Sequence, residues 1–274
     1  MRCRSRGRVS ENGLLRINTP IEHYPEYNLW VKREDLACLP PGPPFSKVRG
    51  VYAHLLSVPH RHIGVLDTYH SQGGWAVALV CRALGKLCTV YYPEYLHDPG
   101  YRYPQERALA LGAALHGLPA GRSAVLWHAA RRATEGLGGY MLPNALKLPE
   151  SVAETAEETP NRGFDNVVIS ASSGTLAAGV IKGFTRRGKP VRRFVVHLGY
   201  SRSHEQLLRY LHEQSGCAEA PIEIIDEEYS YKDKARDGET PPWPCNEYYD
   251  LKAFRWWLEN RRKYGGSTLF WNIG

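Results

Sequence analysis

The sequence predicts an α/β fold with a largely parallel sheet covered by helices, and three observations carry that expectation. Short apolar runs alternate with helical segments from residue 62 onward. Two of those runs break at turns rich in Ser, Gln, Gly and Thr and restart as helices of small residues. The 274 residues, 43% of them hydrophobic, suffice for one large or two modest domains.

Taken in order, Trp30-Val31-Lys32-Arg33-Glu34-Asp35-Leu36 reads as a strand, a Pro/Gly-rich turn follows, and Phe45-Ser46-Lys47-Val48-Arg49-Gly50 places Lys47 at the opening of a helix. An apolar strand over 62–69 ends at Ser71-Gln72-Gly73-Gly74, and an alanine-rich helix runs over 73–84. The alternation continues with strand 87–93, helix 104–111, strand 113–118 and helix 121–135. Gly139-Tyr140-Met141-Leu142-Pro143 then leads to a helix after Pro149. Strands over 165–169, 193–198, 222–225 and 268–271 complete the series, with helices between them and a polar, Pro-rich loop over 227–246.

No run reaches the ~18 to 20 apolar residues of a membrane span, and the first residues lack the apolar centre of a signal peptide, so a cytoplasmic protein without a membrane partner is expected. The six cysteines form no C-x-x-C pair and read as reduced thiols. His60, Arg61 and His62 have no Cys, Asp or Glu at ligand spacing, so no metal site is expected there. The net charge of +7 is unevenly spread. Arginines alternate through residues 2–8 and recur as Arg186-Arg187 and Arg192-Arg193. Arg255, Trp256, Arg261 and Arg262 interleave cations with aromatic rings, a pattern suited to phosphate backbones and stacked bases, and are the candidate nucleic-acid contacts.

Three places carry candidate chemistry. A solitary lysine is ordinarily a solvated helix residue, so Lys47 gains weight only from its company. The Ser71-Gln72 turn opens a helix, whose first amides attract anions. Ser172, Ser173, Gly174 and Thr175 join a buried strand to a small-residue helix, where amides, hydroxyls and a close glycine backbone suit a dianionic phosphate. Neither Walker spacing nor Gly-x-Gly-x-x-Gly is present.

These motifs, in this order, resemble the fold-type II pyridoxal phosphate (PLP) enzymes, above all 1-aminocyclopropane-1-carboxylate deaminase and D-cysteine desulfhydrase. Phe45-Ser46-Lys47 stands where that family has Gly-Asn-Lys, and Ser71-Gln72 where it has Ser-Asn. Tyr248-Tyr249-Asp250-Leu251-Lys252 matches Val-Tyr-(Glu/Asp)-Gly-Lys, and residues 267–274 match the closing strand, with Asn272 where Thr or Leu is usual. The resemblance implies Lys47 as the Schiff-base lysine, Ser71 near the substrate carboxylate, Gln72 against the ring hydroxyl and residues 172–175 around the phosphate. It places Tyr249 towards the substrate and Asp250 near the pyridine nitrogen, with Asn272 a neutral neighbour there. It also implies two domains with open, mostly parallel sheets, a large one from 1–57 and 146–274 and a small one from 58–145, with the cofactor between them.

Tyr69-His70-Ser71, the stretch from Tyr140 to Ser151, and His197-Leu198-Gly199-Tyr200-Ser201-Arg202-Ser203 resemble short PLP-type proteins of bacteriophages, some implicated in thymine hypermodification. That implies decarboxylation of an amino acid carried on a thymine of phage DNA, in the host cytoplasm, by a protein that can form a homodimer. Two alternatives stand beside it: a deaminase or desulfhydrase acting on a free small amino acid, and a non-catalytic PLP- or nucleic-acid-binding protein on the same fold.

Overall fold

In the computed structural model, residues 8–9, 13–68, 70–97 and 100–274 are described; the arginine-rich start at 1–7, Cys3 and Tyr69 lie outside the described residues. The chain divides into two units, one of residues 1–39, 44–46 and 151–274, the other of residues 40–43 and 47–150.

The larger unit opens with a short antiparallel pair, β1 (Arg8–Val9) and β2 (Arg16–Ile17). Next come β3 (Ile21–Tyr24) and β4 (Leu29–Arg33), followed by a turn of 3-10 helix over Glu34–Leu36. Through the smaller unit the chain runs α1 (Val48–Ser57), β5 (His62–Leu66), α2 (Gly73–Ala83), β6 (Leu87–Glu94), α3 (Tyr103–Ala110), β7 (Ala114–Pro119), α4 (Ser123–Gly136) and β8 (Tyr140–Met141). Helix α5 (Pro149–Glu157) begins at the boundary. The larger unit resumes with β9 (Asn166–Ala171), α6 (Thr175–Arg186), β10 (Arg193–Leu198), α7 (His204–Ser215), β11 (Ile222–Ile225), α8 (Asp250–Asn260) and β12 (Thr268–Asn272).

The smaller sheet has the order β7-β6-β5-β8 and is parallel throughout. The larger has the order β11-β10-β9-β12-β4-β3, parallel except where β3 pairs with β4. This antiparallel edge carries no clean alternation in its four residues, Ile21-Glu22-His23-Tyr24, which is why the sequence left it unread. Strand 62–69 was expected to be longer; it stops at Leu66 because Asp67 turns inward and begins the turn that starts α2. Helix α1 groups with the smaller unit, whereas the boundary expected at residue 57 puts it with the larger.

Successive residues of the central strand serve opposite faces of the larger sheet. Val167 and Ile169 pack with Leu176, Val180 and Phe184 of α6, while Val168 packs with Phe254 and Trp257 of α8. Helix α6 lies close to α5 because Gly179 permits it: a Cβ there would sit 2.6 Å from that of Thr155. No helix among the described residues is long and apolar enough to cross a membrane.

Candidate active site

In the smaller unit Lys47 immediately precedes α1 and is buried. Its Nζ donates to the Ala145 carbonyl oxygen at 2.9 Å. Ala145 and Leu146 both adopt left-handed backbone, with φ of 57° and 49°, a conformation that costs non-glycine residues of order 1 kcal/mol or more. That conformation aims the acceptor at the amine. Burial, reinforced by the charge of Lys147, pulls the Lys47 amine down to about 7.

The Ser71–Gln72 turn lies at the carboxyl end of β5. Ser71 Oγ accepts from the Gly73 amide at 2.9 Å, which satisfies one donor at the start of α2. Gln72 is half-buried, and its Oε1 has no hydrogen bond. Beneath the turn Asp67 is buried, with Oδ1 accepting from the Thr68 amide at 3.0 Å and Oδ2 without a hydrogen bond. Burial pushes its carboxyl up to about 7. A Cβ at Gly74 would lie 2.7 Å from Val90 Cγ1 and 2.8 Å from Asp67 Oδ2, so the turn closes over the acid only with glycine there.

In the larger unit the 172–175 loop follows β9. Gly174 has φ 83°, and a Cβ on it would approach Leu207 Cδ1 to 2.7 Å, so glycine is required on two counts. Ser173 Oγ and Thr175 Oγ1 are 3.0 Å apart, and Thr175 Oγ1 is 3.1 Å from the Tyr210 hydroxyl. The Arg202 guanidinium donates to the Ser172 carbonyl. Hydroxyls, the first amides of a 12-residue helix and a guanidinium therefore meet at one loop.

A second group lies where α8 begins. Asp250 is fully buried; Oδ1 accepts from Ser170 Oγ at 2.6 Å and Oδ2 from the Gly274 amide at 3.0 Å. Burial, aided by the charge of Asp35, pushes it up to about 6. Asn272 Nδ2 donates to Asp35 Oδ1 and to the Pro244 carbonyl, each at 2.9 Å, while Asn272 Oδ1 has no hydrogen bond. Tyr249 packs its ring against Gly199, where a Cβ would clash with it, and burial raises the Tyr249 hydroxyl well above its ordinary value, with Ser172 and Tyr231 beside it. Lys252 Nζ donates to the Gly199 carbonyl at 2.5 Å, and burial pulls it down to about 8.

The structure thus joins Tyr249 to Ser172, Asn272 to Asp250 through Asp35, and Ser71 to Asp67. The candidate nucleic-acid residues behave otherwise. Trp256 is buried against Tyr264 and His197, and Trp257 is buried beside it, so neither ring is open to a base. This corrects the stacking role expected of Trp256: both rings belong to the face α8 turns to the core. Arg255 donates to the carbonyls of Glu239 and Gly238, and Arg261 to that of Glu26; Arg262 lies in the turn after α8. Asp67, Ala145, Arg202 and Tyr210 escaped the sequence reading. Only Asp67 left a signal, an acid closing an apolar run.

The residues present fit PLP. A buried amine titrating near neutrality suits an aldehyde, the hydroxyl-rich glycine loop suits a phosphate, a buried carboxyl of raised pKa suits a ring nitrogen, and Gln72 and Asn272 each keep an oxygen without a partner. Fold and donor set together define a fold-type II PLP enzyme. Residues 14–231 match the family described as pyridoxal-phosphate dependent enzyme, and the chain belongs to that family. It is also 46% identical to the glycyl-dTMP PLP-dependent decarboxylase of Pseudomonas phage M6 over 279 residues, 94% of this chain and 98% of that one. Among solved structures, an ACC deaminase homologue superposes with a TM-score of 0.77 at 19% identity, covering 98% of this chain and 92% of its own. Threonine deaminase isoform 2 from Solanum lycopersicum follows the same fold with a TM-score of 0.67 at 14% identity, covering 94% and 84%.

Proposed function

We propose that this protein removes the carboxyl group from an amino acid, a glycyl group foremost, carried on a thymine nucleotide of phage DNA. The observation that carries the reading is the 46% identity, over nearly the whole of both chains, to a phage protein named as a PLP-dependent decarboxylase of glycyl-dTMP. When bound, PLP supplies the electron sink for the pair left at Cα as CO2 departs.

In this reading Lys47 would hold the cofactor, and its buried amine would carry the proton that Cα needs. An amine titrating at about 7 can give and regain that proton near neutrality. Ser172, Ser173, Gly174 and Thr175 would hold the phosphate, Asp250 would keep a proton at the ring nitrogen, the Gln72 amide oxygen would accept from the ring hydroxyl and Asn272 would support Asp250's side of the ring. Ser71 orients the substrate carboxylate and Tyr249 packs against the substrate. A homodimer working in the bacterial host's cytoplasm completes the reading, and sedimentation of the holoenzyme tests its first half.

The deciding experiment incubates the holoenzyme with DNA bearing a glycyl-thymine and, separately, with free D-cysteine and aminocyclopropane carboxylate. Mass analysis should show loss of one CO2 from the modified nucleoside and no keto acid from the free amino acids. Turnover of the free amino acids alone would establish the deaminase or desulfhydrase reading instead. Bound PLP with no turnover of any substrate would leave a binding protein.

A further inference from the structure

All four strands of the smaller sheet are parallel, so the segments that leave β5, β6, β7 and β8 emerge at one edge. Three of them carry the Ser71–Gln72 turn, the 120–122 turn before α4, and Ala145 with its hold on Lys47. Edges of this kind receive ligands in open parallel sheets. The segment after β6 differs from the others. Where it enters α3, Tyr101 is 47% exposed and Tyr103 63% exposed, and the Arg107 guanidinium lies 5.5 Å from the Trp75 ring and 5.9 Å from the Tyr103 ring. Trp75 meets Tyr103 edge-on at 5.7 Å, which fixes the Tyr103 ring while leaving most of its surface in solvent. Arg102 stands between the two tyrosines, and Arg122 is exposed in the turn after β7.

Most of the chain's net charge falls on the same unit. The smaller unit holds eleven Lys and Arg against six Asp and Glu, +5 of the chain's +7. Several arginines on the larger unit are engaged: Arg186 with Glu157, Arg192 with Asp165, Arg255 with two carbonyls. A rim that pairs exposed rings with guanidinium groups suits a polyanion that also offers flat faces. A base reached by an enzyme must leave its stack, so the nucleotides beside it expose their faces too.

We propose that this rim is the DNA-contacting surface: Tyr101 and Tyr103 stack on nucleotides flanking the modified one, and Arg102, Arg107 and Arg122 face the phosphates. This rests on the reading that the substrate is carried on DNA.

The test uses full-length holoenzyme and a fluorescein-labelled oligothymidylate strand, with anisotropy recorded across a salt series and the PLP absorbance band serving as the check on folding. The Tyr101→Ala/Tyr103→Ala protein should bind about tenfold more weakly or worse. Arg102→Ala/Arg122→Ala should lower the log–log salt slope by about 0.7 per arginine. Arg255→Ala/Arg261→Ala should do neither. Wild-type affinity in both rim variants, or loss confined to the Arg255/Arg261 variant, would overturn the proposal. So would rim variants that convert a dimer to a monomer in sedimentation while binding the strand normally, because the rim would then be a subunit contact. A wild-type protein that decarboxylates the glycyl nucleotide without binding the strand sinks the rim and spares the activity; strand binding through the rim without decarboxylation does the reverse.

Discussion

The smaller unit carries a surplus of five positive charges, whereas the larger one, counted from Gly13, has twenty Lys and Arg against twenty-one Asp and Glu. Yet each unit buries an ionisable group whose shift a like charge reinforces. Lys47 has Lys147 for a neighbour and falls to about 7; Asp250 has Asp35 and rises to about 6. Burial and like charge both disfavour the ionised form, so an amine and a carboxyl that begin far apart arrive within reach of neutrality. The surface charge of a unit and the charge state of its reactive group are set separately, the first by exposed side chains and the second by what is buried with the group.

Removing the amine should have the largest effect. Lys47→Ala should lose activity by at least about 10²–10⁴-fold, and borohydride reduction followed by peptide mass analysis should find the pyridoxyl adduct on Lys47 in the native protein alone. An adduct on Lys182 or Lys252 would move the reactive centre out of the basic unit and undo the contrast.

Next in size, on the larger unit, is Gly174→Ala, which forces a Cβ towards Leu207 at a positive φ and should cost about 1–3 kcal/mol of stability along with PLP retention. Thr175→Val, which removes a buried hydroxyl, should weaken PLP retention about tenfold, while Thr185→Val should leave it near normal. Dialysis followed by absorbance measures both.

The buried pairs can also be read through pH in the cofactor-free protein. Lys47 is lowered from 10.5 to about 7, so the unfolded chain holds the extra proton in that window and stability should rise with pH across it. Lys47→Met should flatten this limb. Asp67 is raised from 3.8 to about 7 and Asp250 from 3.8 to about 6, so here the folded chain holds the extra proton and stability should fall as pH rises through those windows. Asp67→Asn should flatten the upper part of that fall, as urea midpoints at successive pH values would show. The smallest effect belongs to Arg255→Ala, whose side chain reaches only surface carbonyls; its unfolding free energy from urea titration should change by no more than about 0.5 kcal/mol.

Strands β5, β9, β10 and β12 were legible as apolar runs because a strand covered on both faces has no polar side to disguise it, whereas the edge strands β7 and β11, only partly covered, were legible from their place in the alternation with helices. Lys47 and the 172–175 loop were legible because local chemistry marks them, a helix start in one case and a hydroxyl-rich glycine turn in the other. The partner of Lys47 was not, since Ala145 is 98 residues away and contributes only a carbonyl, which no side-chain pattern announces. Arg202 and Tyr210 reach the 172–175 loop from beyond β10 and were hidden for the same reason. Trp256 misled because cations and rings adjacent in sequence point in different directions on a helix, and α8 turns its rings inward.

The place of β12 at the centre of the larger sheet governs the order in which this molecule can be assembled. Asn272 of β12 reaches back to Asp35, 237 residues away, while the strands of the smaller sheet all pair within residues 62–141. A chain synthesised only as far as residue 267 can therefore complete the sheet of the unit that carries the amine. In the same chain β11-β10-β9 and β4-β3 remain two separate ribbons with unpaired inner edges, the kind of edge that recruits other chains. A nascent chain is thus sound in its basic half and exposed to aggregation in the half that holds the phosphate loop until residues 268–272 slide between β9 and β4.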